Sequence, residues 1–268
     1  MDNRPIGVFD SGLGGLTAVR ELERLLPGER IVYFGDTGRV PYGTRGAEVI
    51  RRYAAEDCDF LEKNDVKMII AACGTVSSVA AHIIHSRNVP CVDVVEPTAR
   101  AAVAATRNNK IGIIGTAATV HSGSYAMVIE CLLPEAEVYS QECPMLVPLV
   151  ENGWIAEDDM IARLAVERYL APLKEQGIDT LILGCTHFPL LVPHIAAYMG
   201  EDVALISAGA AAAGACAEQL KSSDSLRDDG EGKTEFYVSD KGQNFVKVAK
   251  TFLGRECDEV SVVDINSL

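Results

Sequence analysis

Three strand-like segments of this chain recur, in the same order, about 105 residues further on. IGVFDSG from Ile6 lies over IGIIGTA from Ile111, VYFGD from Val32 over VYSQE from Val138, and IIAAC from Ile69 over LILGC from Leu181. Each match is short and such strands are common; the kept order carries the argument. These are apolar runs of the kind that is covered on both faces of a sheet. Helical spacing fills the stretches between them: Leu16 to Leu26, stopped by Pro27 and Gly28, then Ala47 to Lys63, Ser77 to Arg87, Thr98 to Thr106, Tyr125 to Leu133 and Ile161 to Gln176. A further strand is expected over Val89 to Val95, ending at Glu96-Pro97, while GTAATVHSGS after Ile114 and CPMLVPLVENG after the Val138 strand are left between elements. Strand and helix in alternation make a mostly parallel sheet. The repeat makes two, so the expected fold is α/β: two pseudo-symmetric domains, each a mostly parallel sheet flanked by helices, with an active site in the cleft between them.

The last part of the chain has no counterpart in the middle unit. The Ala/Gly-rich run Ala204 to Ala217 reads as a buried helix, and KSSDSLRDDGEGKT as a polar surface loop. A strand from Glu235 to Ser239, a helix from Asn244 to Leu253 and a strand-like VSVVDI follow. The simplest account returns this tail to the first domain, giving limits of 1–97 plus 208–268 for the first and 98–207 for the second.

Composition narrows the function. With 268 residues, 48% of them hydrophobic, the chain can bury a real core. A formal charge of −14 argues against nucleic acid or an anionic membrane as partner, since both need a basic face. It leaves room for a small acidic ligand in a local site. MDNRPIGVFD has no apolar stretch of the secretory kind, and Ala204 to Ala217 is too short to span a bilayer. Eight cysteines without short regular spacing are no disulfide framework. The cytoplasm is the expected compartment.

Cys73 and Cys185 end equivalent strands of the two repeats, at the strand end where open α/β sheets bind ligands. If the repeats face each other, one thiol stands on each side of a bound molecule. Two weak acids on opposite faces of one carbon are what stereoinversion needs: one thiolate removes the proton and the other thiol supplies one from behind. Cys58, Cys91, Cys131, Cys143, Cys216 and Cys257 read instead as small buried hydrophobes. A zinc site would want paired ligands such as Cys-x-x-Cys, which are absent, so no metal is expected. Hydrolysis by Cys185 with His187 would leave Cys73 idle. DSGLGG, Asp10 to Gly15, begins like a dinucleotide loop, with Asp36 placed for a ribose, but Thr17 stands where the third Gly or Ala belongs. The other reading of that loop is a small carboxylate held by backbone N–H groups and Ser11, with Thr116 at the matching place in the second repeat. Asp10 either caps the turn or orients a thiol or a substrate ammonium. His187 is either a satisfied turn histidine or a proton relay for Cys185. Tyr42 and Gly43 can be ordinary turn residues, and Glu151 a solvated loop acid.

The ordered set FDSGLGGLTAV, YFGDTGRVPYG, AACGTVSS, VVEPT, GTAAT, CPMLVPLVENG and LGCTHFPLL resembles the glutamate racemases of bacteria, within the aspartate/glutamate racemase family, across essentially the whole chain. The resemblance implies a cofactor-independent racemase that interconverts L- and D-glutamate and supplies D-glutamate for peptidoglycan in the cytoplasm. It implies Cys73 and Cys185 as the catalytic thiols, assisted by Asp10 and His187. Asp10, Ser11, Tyr42, Gly43, Gly74, Thr75, Thr116, Thr119, Thr186 and His187 match substrate-binding positions, and Asp36 and Glu151 match acids near the site. Two positions depart: Gly74 stands where the family usually has Asn, and Ser207 where Asp is frequent. The expected partner is a small-molecule substrate, glutamate, with a homodimer as the assembly and with no nucleic acid or membrane. The alternatives are a racemase of a related acidic amino acid such as aspartate, a nicotinamide-dependent oxidoreductase, and a non-catalytic amino-acid-binding protein.

Overall fold

The structure is a computed structural model that describes residues 1–227, 230–242, 245–257 and 259–264. Its strands are β1 (Ile6–Asp10), β2 (Ile31–Gly35), β3 (Met68–Ala71), β4 (Cys91–Asp93), β5 (Lys110–Gly115), β6 (Glu137–Glu142), β7 (Thr180–Leu183), β8 (Ala204–Ser207), β9 (Thr234–Val238) and β10 (Val260–Val262). They form a six-stranded sheet in the order β10-β9-β2-β1-β3-β4 and a four-stranded sheet in the order β6-β5-β7-β8. Every pairing is parallel. The order β2-β1-β3-β4 therefore returns as β6-β5-β7-β8, and the tail strands extend the first sheet beyond β2.

Register tests the repeat residue by residue. Gly7 pairs with Ile69 as Gly112 pairs with Leu181, so two of the three matches are in register. The third is off by one: Ile6 pairs with Ile31 but Ile111 pairs with Val138, so Ile31, not Val32, is the equivalent of Val138. A shift of one residue turns each side chain to the other face of a sheet. Every residue of β2 is buried, so its apolar pattern carries no face information with which to see the slip.

Local chemistry moved several boundaries. The helix expected from Ser77 starts directly after Cys73 and is broken at Ala80, giving Gly74–Val79 and Ala81–His85. The strand expected over Val89 to Val95 shrinks to β4, because the Asp93 carboxylate accepts from Val95 N at 2.6 Å and starts a helix, Val95–Ala105. Pro97 lies in its first turn, where no intrahelical N–H bond is lost. GTAATVHSGS holds a helix, Ala117–Ser122, capped by Thr116 and ended at Gly123, whose φ of +66° favours glycine. CPMLVPLVENG likewise holds Leu146–Glu151. The Ala204 to Ala217 run is not one helix: its first four residues are β8, and Ser207 then caps helix Ala208–Ser222. The expected residues Asn244 and Ile265 lie outside the described ones, as do Asp228 and Asp229 of the polar loop.

Helix Ala208–Ser222 packs on both Leu16–Leu25 and Val95–Ala105. The first contact is close because Gly209 faces Ala18, so neither helix holds the other off with a large side chain. One apolar cluster includes Val8 and Ile70 of the first sheet together with Leu183 and Phe188 of the second half. The strands of both halves thus end against a common seam. Among the described residues no helix is long and apolar enough to cross a membrane.

Candidate active site

The seam is built from the carboxyl ends of β1, β3, β5 and β7, where each chain turns from a strand towards a helix. Cys73 and Cys185 both lie there, buried at 5% and 7% exposure. The residue after the first, Gly74, touches the residue before the second: a Cβ on Gly74 would stand 2.1 Å from the Gly184 carbonyl oxygen. The two halves also meet where Thr17 Oγ1 donates to the Thr186 carbonyl at 3.3 Å and where Ala118 N donates to the Gly43 carbonyl at 3.3 Å.

Around the first thiol, Cys73 Sγ donates to Ser11 Oγ at 3.4 Å. Burial, with the Asp10 charge adding to it, pushes the thiol up to about 12. Asp10 ends β1 and is buried. Its Oδ2 accepts from Gly12 N at 3.0 Å, while Oδ1 has no hydrogen-bond partner among the described residues. Burial raises its carboxyl above the ordinary value, against the opposing His187 charge and the backbone N–H groups of Gly15, Gly12 and Ser11. A buried acid with a bare oxygen is costly unless something cationic arrives.

Around the second thiol, β7 stops at Leu183, so Cys185 and His187 do not share a face by strand alternation. The turn brings them together instead, with Cys185 Sγ 3.7 Å from His187 Nδ1 and Thr186 Oγ1 3.4 Å from the same nitrogen. His187 Nε2 faces Glu151 Oε1 at 3.1 Å, and the ring stands edge-on to Phe252 with centroids 5.0 Å apart. Burial opposes a charge on this imidazole, but the hydrogen bonds with Cys185 and Glu151 outweigh it and hold His187 up to about 10. A residue with that environment is a protonated partner for sulfur at neutral pH.

This raised value has a sign for stability. The imidazolium contributes fully below the unfolded value of about 6.5, and the contribution is lost as pH rises through about 10. His187→Gln is therefore expected to flatten the loss of stability between pH 6 and pH 9.5, read as the difference in thermal midpoint from the unmodified protein.

Three threonines close the top of the seam. Thr75 Oγ1 lies 2.9 Å from Thr116 Oγ1, which lies 3.1 Å from Thr119 Oγ1. Thr116 Oγ1 also accepts from Thr119 N at 3.3 Å as the cap of its helix, while hydroxyl protons in such a chain can turn to an arriving carboxylate.

Tyr42 and Asp36 are placed differently from a ligand-facing pair. The Tyr42 hydroxyl donates to Asp36 and lies 3.3 Å from Asp57. Asp36 also accepts from Arg39 Nε and, at 2.7 Å, from Ser239 Oγ. Arg39 reaches Glu56 and Asp57 as well, the latter at 3.2 Å. Burial, with Asp36 alongside, pushes the Asp57 carboxyl well above the usual carboxylate range. This buried cluster holds the 36–43 loop and uses the Tyr42 hydroxyl inside it. Tyr42→Phe leaves buried acceptors short of a donor and is expected to cost about 1–3 kcal/mol, measured by urea unfolding. Gly43 lies on the seam against Thr116, where a Cβ would come within 2.9 Å of the Thr116 Cβ.

Tyr125 was not among the candidates. It is buried, and its ring lies behind Gly184, 3.4 Å from where a Cβ would be. Burial first, then Asp93, raises its hydroxyl, and both Cys73 and Cys185 add to this. Nothing in the local sequence marks it, since a tyrosine on an amphipathic helix is ordinary. The remaining cysteines divide: Cys58, Cys143 and Cys216 are buried as expected, but Cys91 and Cys257 are partly exposed and Cys131 is exposed, at a helix position turned away from the core. Among the described residues no group of three or more His, Cys, Asp or Glu is placed to hold a metal ion.

Residues 6–216 match the family model described as Asp/Glu/Hydantoin racemase. The chain is 46% identical over 265 residues to a glutamate racemase of Neisseria meningitidis, covering 98% of this chain and 97% of that protein. It superposes on the crystal structure of glutamate racemase from Francisella tularensis in complex with D-glutamate with a TM-score of 0.93 and 37% identity, over all of both chains. The Picrophilus torridus aspartate racemase, at 18% identity and a TM-score of 0.59 over 82% of this chain and 94% of that one, shares the fold alone.

Proposed function

Because the chain belongs to the Asp/Glu/Hydantoin racemase family, we propose that it interconverts L- and D-glutamate by a two-thiol proton transfer at Cα. It is an isomerase, and the reading of its chemistry is as follows. One cysteine, as thiolate, takes the α-proton, leaving the electron pair on Cα and the adjoining carboxylate. The other, as thiol, gives a proton to the opposite face and becomes the thiolate. Nothing is oxidised or reduced, and the return reaction exchanges the two roles. The reaction needs no pyridoxal phosphate in this scheme, so hydrogen-bond donors must stabilise the carbanion in place of a cofactor.

The single observation that supports this most is the contact of Gly74 with Gly184, which draws two strand ends, each bearing a buried cysteine, to one seam. Supporting it are the bare Asp10 Oδ1, suited to the substrate ammonium, and the Thr75–Thr116–Thr119 hydroxyls with Ser11 and Thr186, suited to its carboxylates. His187 with Glu151 is read as the charge relay of Cys185, and Asp10 with Ser11 as the setting of Cys73. Asp36 acts through the loop it holds.

The same proposal includes supply of D-glutamate for peptidoglycan in the cytoplasm, a homodimer as the assembly, and domain limits of 1–97 plus 208–268 and 98–207. The partition of strands between the sheets supports those limits. The test is α-proton exchange in D2O, followed by NMR, with each enantiomer of glutamate and of aspartate and no added cofactor. Deuterium is expected at Cα of both glutamates, with inversion. Exchange with aspartate alone moves the substrate to aspartate, and exchange with neither ends the racemase reading.

A further inference from the structure

We propose that the outward face of helix Met160–Glu175 is where a second copy of this chain docks, the two helices lying antiparallel across a two-fold axis. This rests on the homodimer reading above and gives that assembly its surface. Among the described residues eleven large hydrophobic side chains are exposed. Five of them, Met145, Trp154, Met160, Ile161 and Leu164, fall between positions 145 and 164, at 43% to 64% exposure.

A surface helix turns its apolar stripe to the core and polar residues to water. This helix is apolar on both sides. Ala162, Val166, Leu170 and Leu173 are buried. Ile161, Leu164 and Arg168 are exposed and, three and four residues apart, share the opposite face. The patch extends sideways: Met145 N donates to the Tyr169 hydroxyl at 3.3 Å, which lays Met145 along the flank of the helix. A contiguous exposed apolar patch marks an interaction surface.

The charges on this face identify what covers it. Asp159 is taken up as the helix cap, its carboxylate accepting from Ile161 N and Ala162 N at 2.9 Å each. Glu157 and Asp158, in the turn just before it, are exposed, as is Arg168 at the other end of the stripe. None of these three side chains has a partner among the described residues. The face thus carries acid at one end, base at the other and apolar side chains between, so it is its own complement when turned through a two-fold. An axis between Ala162 and Arg163 sets Ile161 against Leu164 of the second copy, and Leu164 against its Ile161. Arg168, about 6 Å beyond Leu164, then meets the acidic turn that lies the same distance before Ile161 of the second copy. A basic partner would leave Arg168 facing like charge, and an acidic one would do the same to Glu157 and Asp158. A second copy satisfies both ends.

One helix face with its flank is smaller than the standard interface of about 1,600 Å², so the dimer is reversible, with Kd on the order of 10 µM. Sedimentation equilibrium from about 1 to 100 µM, tenfold either side of that value, is the test. The wild type is expected to pass from monomer to dimer across this range. Leu164→Glu places a charge in the apolar centre from each copy and is expected to stay monomeric throughout. Arg168→Glu is expected to raise Kd about 10-fold, and adding Glu157→Arg with Asp158→Arg to bring it back within about 3-fold of the wild type. Met127→Glu is the control: Met127 is exposed on helix Ser124–Leu132, away from this face in sequence, and the variant is expected to match the wild type. If circular dichroism shows Leu164→Glu to be unfolded, Ile161→Glu decides in its place. A dimer that persists in the folded variant, a loss at position 168 that the reversed acids do not restore, or a dimer broken by Met127→Glu overturns this surface and leaves the homodimer reading standing. A wild type that stays monomeric throughout overturns the homodimer reading, and this surface with it, without touching the racemase reading.

Discussion

Cys73→Ser is expected to lower kcat for glutamate racemisation by at least about 10³-fold, and Cys185→Ser to do the same, since positioned acid–base groups contribute about 10²–10⁴ each. A hydroxyl is a far weaker acid than a thiol, so serine cannot serve as the base and serves poorly as the acid. The two settings differ. Cys73, pushed up to about 12 by burial and Asp10, stands as a neutral thiol, ready to donate. Cys185 has the His187 imidazole beside it at 3.7 Å, held up to about 10, so a positive charge stands next to that sulfur. The equilibrium constant between enantiomers is one, so any variant must lose kcat/KM equally in both directions. The asymmetry shows elsewhere: Cys185→Ser keeps α-exchange for the enantiomer whose proton faces Cys73, and Cys73→Ser for the other. Polarimetry for inversion and NMR for exchange measure both. Retention of a tenth of the wild-type racemisation by either single variant would sink the two-thiol scheme.

Asp10→Asn is expected to lower kcat/KM about 10³-fold, with KM for glutamate rising, because it leaves a buried ammonium without its counter-charge; losing one member of such a pair costs about 2–5 kcal/mol. The amide fills the same space and still accepts from Gly12 N, so the turn is kept. Removing the charge also removes the second cause of the raised Cys73 thiol, after burial. The variant's Cys73 should therefore ionise at lower pH than the wild type's, read by the pH dependence of thiolate absorbance in a background lacking the other exposed thiols. A shared thiolate profile with an unchanged KM would remove Asp10 from both roles. The bare oxygen also predicts the reverse of an ordinary charge deletion for stability: the empty protein should not be destabilised by Asn, since an unpaired buried carboxylate is replaced by a neutral group.

Much of the fold was legible because parallel strands buried on both faces are written as continuous apolar runs. IGVFD, MIIA and TLIL are examples, each fully buried. The cysteines were legible for the same reason, as polar punctuation at the ends of such runs. Helix starts were less so. Those at Gly74, Val95 and Ala117 are set by what caps them or by the strand they follow, and Asp93 and Thr116 look like turn residues until the chain bends back on them. Total burial hid the one-residue slip at β2, since a strand with no polar face does not declare its register.

The chain's order of apolar runs by itself determined two parallel sheets of like topology, with a thiol after the third strand of each. This follows from periodicity, which is a property of near neighbours. Only the tertiary structure decided which polar groups meet. Asp36 is claimed by Ser239 across 203 residues and so holds a loop, while Glu151, 36 residues before His187, reaches its ring. Gly74 and Gly184, 110 residues apart in the chain, meet as bare backbone where the sheets converge. Hydrogen bonds and steric contacts act over about 3 Å, so they depend on distances between strand ends that no local pattern encodes.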